Sequence, residues 1–174
     1  MTDDIIFPHP VLSKINGDPT RITLQLLKKQ LFANARAVPT NQGGAIYGHL
    51  AHVMPPAEYL ALPSAVAFPP PIHPGPLIVH AENVKIKEVQ QLNRIYDNDI
   101  AIFKLYMSAS EHLKKQILAA VDHKYLSPLE DEIMGYATTT PAAMLIHLFH
   151  TYGAIKPVDL DANRATLTAP WVPE

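Results

Sequence analysis

No cysteine occurs anywhere in the 174 residues. That excludes a disulfide framework, thiolate metal sites and cysteine nucleophiles, and it fits a reducing compartment. Charge is sparse as well: charged residues make up 17% and the formal net charge is -2. Residues 1–82 carry five basic and five acidic side chains, while residues 83–174 carry nine basic and eleven acidic. Neither half has the positive excess that strong binding to a phosphate backbone requires. Long apolar runs are missing too, so no membrane span is expected. The N-terminus, MTDDIIFPHP, has two aspartates where a signal peptide has basic residues, and the expected location is cytoplasmic.

What the chain does have is proline. There are 17, and eight of them lie between Pro55 and Pro76. The apolar fraction, 48%, is ordinary for a folded protein, and the length suffices for one well-filled core or two small lobes.

Helical spacing dominates the rest. Pro8, Pro10, Gly17 and Pro19 make residues 1–19 an extended arm. Thr20 caps a helix from Arg21 to about Ala37, with Leu24, Leu27, Leu31, Ala35 and Val38 on one stripe. Residues 45–54 fit a helical turn or a short strand, and AEYLAL after Pro55 and Pro56 fits one or two helical turns. The segment 64–77 reads as a loop, partly polyproline-like. Beyond Asn83, Val89, Leu92, Tyr96, Ile100, Phe103 and Met107 share a stripe that Leu113, Ile117 and Val121 continue. Ser108 and Glu111 have capping-box spacing, which predicts a break or kink near residue 108. Ser127, Pro128 and Glu130 predict another helix start, with Leu129, Ile133 and Tyr136 inward. Thr140 and Pro141 open a helix that buries Leu145, Leu148, Phe149 and Tyr152, with Gly153 as a left-handed cap. A last helix is expected over 157–168, with Trp171 beyond it. The expected fold is all-α: a compact bundle of about six helices preceded by the arm, with a proline-rich loop. Its divisions are the arm 1–19, a helix-and-turn region 20–62, the proline-rich loop 63–82, and a helical core 83–174 packing on 20–62.

Reactive constellations are hard to find. Gly43, Gly44 and Gly48 lack the lysine and hydroxyl of a phosphate loop, and suit a turn that lets two segments approach closely. His49 with His52, and His147 with His150, have i, i+3 spacing, but each pair lacks the third ligand of a zinc site and reads as structural. Asp97 and Asp99 point apart on a helix, and Glu130, Asp131 and Glu132 suit a first helical turn. Tyr96, Phe103 and Tyr106 lie near Arg94 and Lys104, but at core spacing. Lys114 and Lys115 read as a solvent-facing patch. No catalytic, cofactor or metal residues are assigned, and neither enzymatic activity nor a small-molecule substrate is expected.

Several segments together resemble the gag polyprotein of copia-type LTR retrotransposons. They are FPHPVLSKINGDPT at 7–20, FANARAV at 32–38, GGAIYGHLAHVMPPAEYLAL at 43–62, and TTPAAMLIHLFHTYGAIKPVDLDANRATLTAPW at 139–171. In the last, Thr140, Pro141, His147, Leu148, Tyr152, Gly153, Leu160, Asn163, Pro170 and Trp171 match the family pattern in order. The resemblance implies the N-terminal lobe of a capsid, whose copies self-associate into a virus-like particle that packages element RNA. The family's cysteine-histidine knuckle has no counterpart here, so RNA contact is expected only through the full-length polyprotein. A host-domesticated gag derivative, or a generic helical interaction module, is the alternative.

Overall fold

A computed structural model describes residues 5–77 and 85–154. Among these the protein is all-α, with four α-helices, three single-turn 3-10 helices and no β-sheet. The helix expected at 157–168 and Trp171 lie outside the described residues.

Helix α1, Arg21–Ala37, begins at the expected cap, in a reciprocal form. The Thr23 amide donates to Thr20 Oγ1 at 3.3 Å, and the Thr20 amide donates to Thr23 Oγ1 at 2.9 Å. Two of the orphan amides of the first turn are thereby satisfied. Leu24, Leu27, Leu31 and Ala35 are buried as their spacing predicts, and Pro39 follows the last turn. Helix α2, Pro56–Leu60, is one turn opened by a proline at its first position. Helix α4, Pro141–Tyr152, starts where Thr140 Oγ1 accepts from the Ala143 amide at 3.1 Å. Met144, Leu145 and Leu148 are buried against α1 and the third helix, with Phe149 and Tyr152 half-buried beside them.

Helix α3, Ile86–Ala120, runs for 35 residues without interruption, so the break expected near residue 108 is absent. Ser108 does not cap. Its hydroxyl lies 3.3 Å from His112 Nδ1 within the same helix, one turn on. The capping box requires a chain that leaves helical geometry at its first residue, and the half-buried stripe through Phe103, Leu105 and Tyr106 gives no reason to leave. Every buried α3 residue lies at or beyond Ala109. The part before it is 23 residues, about 34 Å at the rise of an α-helix; Leu105 and Tyr106 at its end pack on the interior, and the turns before them hold no buried residue.

Two further expectations are corrected. The helix expected from Ser127 is only a 3-10 turn, Ser127–Leu129, followed by a tight reversal in which Asp131 and Gly135 pair. The Asp131 carboxylate accepts from the Ile133 and Met134 amides at 2.9 and 2.8 Å, so the acid closes a turn where a helix was expected. Leu129 and Tyr136 are half-buried as foreseen, but Ile133 is 92% exposed. Gly153 ends α4 with φ -82°, not left-handed. Its value lies in size, because a Cβ there would sit 2.5 Å from the Phe149 carbonyl oxygen.

The arm, described from Ile5, holds no regular structure and packs along α1 and α3 through buried Phe7, Leu12 and Ile15. Asn34, fully buried on α1, fixes it. Asn34 Oδ1 accepts from the His9 amide at 2.8 Å, and Asn34 Nδ2 donates to the His9 carbonyl at 2.7 Å. Gln116 of α3 joins the same cluster by accepting from Asn34 Nδ2 at 2.9 Å. At the arm's far end the Ile15 amide donates to the Ala120 carbonyl at 2.8 Å, tying it to the last turn of α3.

Candidate functional site: interaction surfaces

The ambiguous stretch 45–54 resolves into turns and a single 3-10 turn, Leu50–His52, laid across the C-terminal end of α1. Gly48 makes this crossing possible. Its φ is +53°, and a Cβ would lie 2.5 Å from the Arg36 carbonyl oxygen and 2.6 Å from that of Val38. Close approach of two segments is what the glycines suggested, and Gly48 provides it in a left-handed turn. Gly43 does the same against Phe68 and the Tyr59 hydroxyl, each 2.7 Å from its would-be Cβ.

Beyond Gly48 the chain delivers His49 and His52 into the interior. Their rings stack at 5.3 Å with planes 10° apart. Phe68 of the proline-rich segment meets both edge-on, and Tyr106 of α3 lies 4.2 Å from His52, centroid to centroid. Burial pushes the His49 pKa down to about 4. Burial, then the neighbouring His49, pushes His52 down to about 3. Both rings are therefore neutral near pH 7, and they behave as aromatic packing that joins the proline-rich segment to α3. The second pair is split: His147 Nε2 is 3.0 Å from the Tyr125 carbonyl, whereas His150 is exposed. Among the described residues no group of three or more His, Cys, Asp or Glu is arranged to hold a metal ion.

The projecting part of α3 has partial cover on one side. Tyr96 Oη donates to the Gly75 carbonyl at 3.0 Å, and His73 packs edge-on against Phe103 at 4.9 Å. Leu92, Ile95 and Met107 remain exposed along it. Tyr96, Phe103 and Tyr106 are thus engaged with the proline-rich segment, while Arg94 and Lys104 are exposed. Asp97 is exposed and Asp99 half-buried, and among the described residues they belong to no group of three His, Cys, Asp or Glu placed to hold a metal.

A second surface lies where the arm crosses α3. Phe7, Leu12 and Ala120 form the floor of an open groove of about 450 Å³, with Lys14, His112 and Lys115 at its sides. Ile6 and Val11, at its lip, are 85% and 84% exposed. The expected lysine patch is divided here. Lys115 is exposed, but Lys114 is buried. Lys114 Nζ lies 2.6 Å from a Glu111 carboxylate oxygen and donates to the Tyr136 carbonyl at 3.0 Å. It holds the base of the 130–135 reversal, which Thr139 also secures by donating to the Leu129 carbonyl at 3.1 Å. On that reversal Glu130 meets His123 Nε2 at 2.7 Å, and the two amides bonded to Asp131 hold its carboxyl below the usual range. Glu132, Ile133 and Met134 form its exposed tip.

No family model, curated protein or solved structure matches the chain. Residues therefore carry the functional reading. Among the described residues no helix is long and apolar enough to cross a membrane. Sequence reasoning missed Asn34 and Lys114. Asn34 had a legible signal, a polar residue seven positions after Leu27 and three after Leu31 on a buried stripe. Lys114 had a fainter one, because it adjoins Leu113 and Ile117 on the inward side of α3.

Proposed function

We propose that this chain is the capsid-like assembly module of a copia-type gag polyprotein, a non-enzymatic building block that self-associates into a particle around element RNA. The observation that carries the reading is the pairing of a helical core with large apolar side chains left on firmly held surface features. Ile6 and Val11 flank an arm clamped by Asn34, and Ile133 tops a reversal clamped by Lys114. A shell needs a block whose surfaces are preset, so that little ordering entropy opposes each contact. The resemblance in segments 7–20, 32–38, 43–62 and 139–171 is what points to this family. Weak contacts repeated over many copies become cumulative, which suits a block that stays monomeric when dilute.

Light scattering across a concentration series tests the reading. The expected outcome is a monomer mass in dilute solution that rises with concentration, with particles in electron micrographs when a second lobe is appended. A tight dimer that persists at nanomolar concentration, with no growth beyond it, overturns the assembly role.

A further inference from the structure

The 130–135 reversal and the arm–α3 groove have opposite characters. The reversal presents two exposed apolar side chains, Ile133 and Met134, on a turn bearing Glu130, Asp131 and Glu132. The groove presents an apolar floor of Phe7, Leu12 and Ala120 between the cationic side chains of Lys14 and Lys115, and no carboxylate lines it among the described residues. Neither lysine has a carboxylate within ion-pair distance among the described residues. An apolar tip with an acidic collar thus matches an apolar slot with a basic rim.

Position decides whether the two can meet within one molecule. Lys114, which grips the base of the reversal, and His112, Gln116 and Ala119, which line the groove, are all on α3. At about 100° per residue, those three lie roughly 140–160° around the helix from Lys114. Tip and slot therefore face away from each other across α3.

We propose that copies of this chain join head to tail, the Ile133–Met134 tip of one copy entering the arm–α3 groove of the next. The proposal rests on the self-association reading and names its contact. Such an interface is heterologous: each copy keeps a free tip at one end and a free groove at the other, so growth continues until a ring closes or a chain extends. Both halves are held before contact, the tip by Lys114 and Asp131, the groove by Asn34 and the Ile15–Ala120 hydrogen bond. The charged rim makes the contact sensitive to salt.

Two variants of the full chain test it by sedimentation equilibrium. Ile133→Asp spoils the tip, and Lys14→Glu with Lys115→Glu spoils the groove. All three positions are exposed, and circular dichroism checks that each variant folds. Each variant alone is expected to self-associate at least about tenfold more weakly than the parent chain. Mixed in equal amounts, they are expected to form a one-to-one dimer and nothing larger, because one intact groove and one intact tip remain. Glu132→Lys is a second probe, weakening association alone and regaining it when Lys115→Glu is added to the same chain. Oligomers that survive both variants, or a mixture that stays monomeric, overturn this contact while leaving self-association standing. A parent chain that stays monomeric at every concentration overturns both.

Discussion

At the scale of single residues, the polar side chains that matter are those folded inside. Asn34, itself fully buried, bonds both the amide and the carbonyl of half-buried His9. Asn34→Ala leaves the His9 amide unpaired and its carbonyl with only Gln116 Nε2 at 3.3 Å, and the expected loss is about 1–3 kcal/mol in urea unfolding. Proteolysis within the arm is expected to quicken in the same variant. His49 and His52 make stability depend on pH. An exposed histidine titrates near 6.5, whereas His49 in the fold is pushed down to about 4 and His52 to about 3. Between those values the unfolded chain binds more protons than the folded one, so stability falls as pH drops from about 6.5 towards 3 and is unaffected by these rings above it. Urea midpoints measured from pH 7 to pH 4 are expected to decline, and His52→Phe is expected to make the decline shallower. An equal slope in the variant and the parent counts against this assignment.

At the scale of elements, local signals were legible where a single rule governed. Thr20 and Thr140 cap as their chemistry demands, Pro56 and Pro141 open helices, and the Leu24-to-Ala35 stripe is buried. Failures came where two rules competed. Ser108 and Glu111 have the letters of a cap, but capping needs a chain already leaving the helix, and nothing near residue 108 makes it leave. Asp131 favoured a helical first turn on charge alone, yet its carboxylate bonds amides two and three residues on and folds the chain back. The histidine pair could be placed together by spacing, but its burial depended on Phe68 and Tyr106, which lie 16 or more residues further along the chain and could not be brought to it by any local pattern. The uninterrupted α3 yields a direct test. Ser108→Pro removes an internal amide donor and crowds the preceding turn, at a cost of about 3 kcal/mol or more. The expected outcome is a lower melting temperature and reduced helical ellipticity at 222 nm. Neither change is expected if a natural break already lay there.

At the scale of the whole molecule, charge and surface give the remaining expectation. With a net charge of -2 and neither half basic, the chain is expected to bind RNA weakly at physiological salt. A filter-binding titration showing tight, salt-resistant capture of RNA by this chain alone contradicts that. The length of α3 bears on assembly in another way. Its last turns are set among α1 and α4, and its first turns lie about 34 Å away along one rigid rod. A neighbour that pushes on the Ile86 end tilts the entire block, since no joint near residue 108 absorbs the force. If the proposed assembly makes a second contact at that end, beside the tip-and-groove contact, the angle between those copies follows the straightness of a single helix.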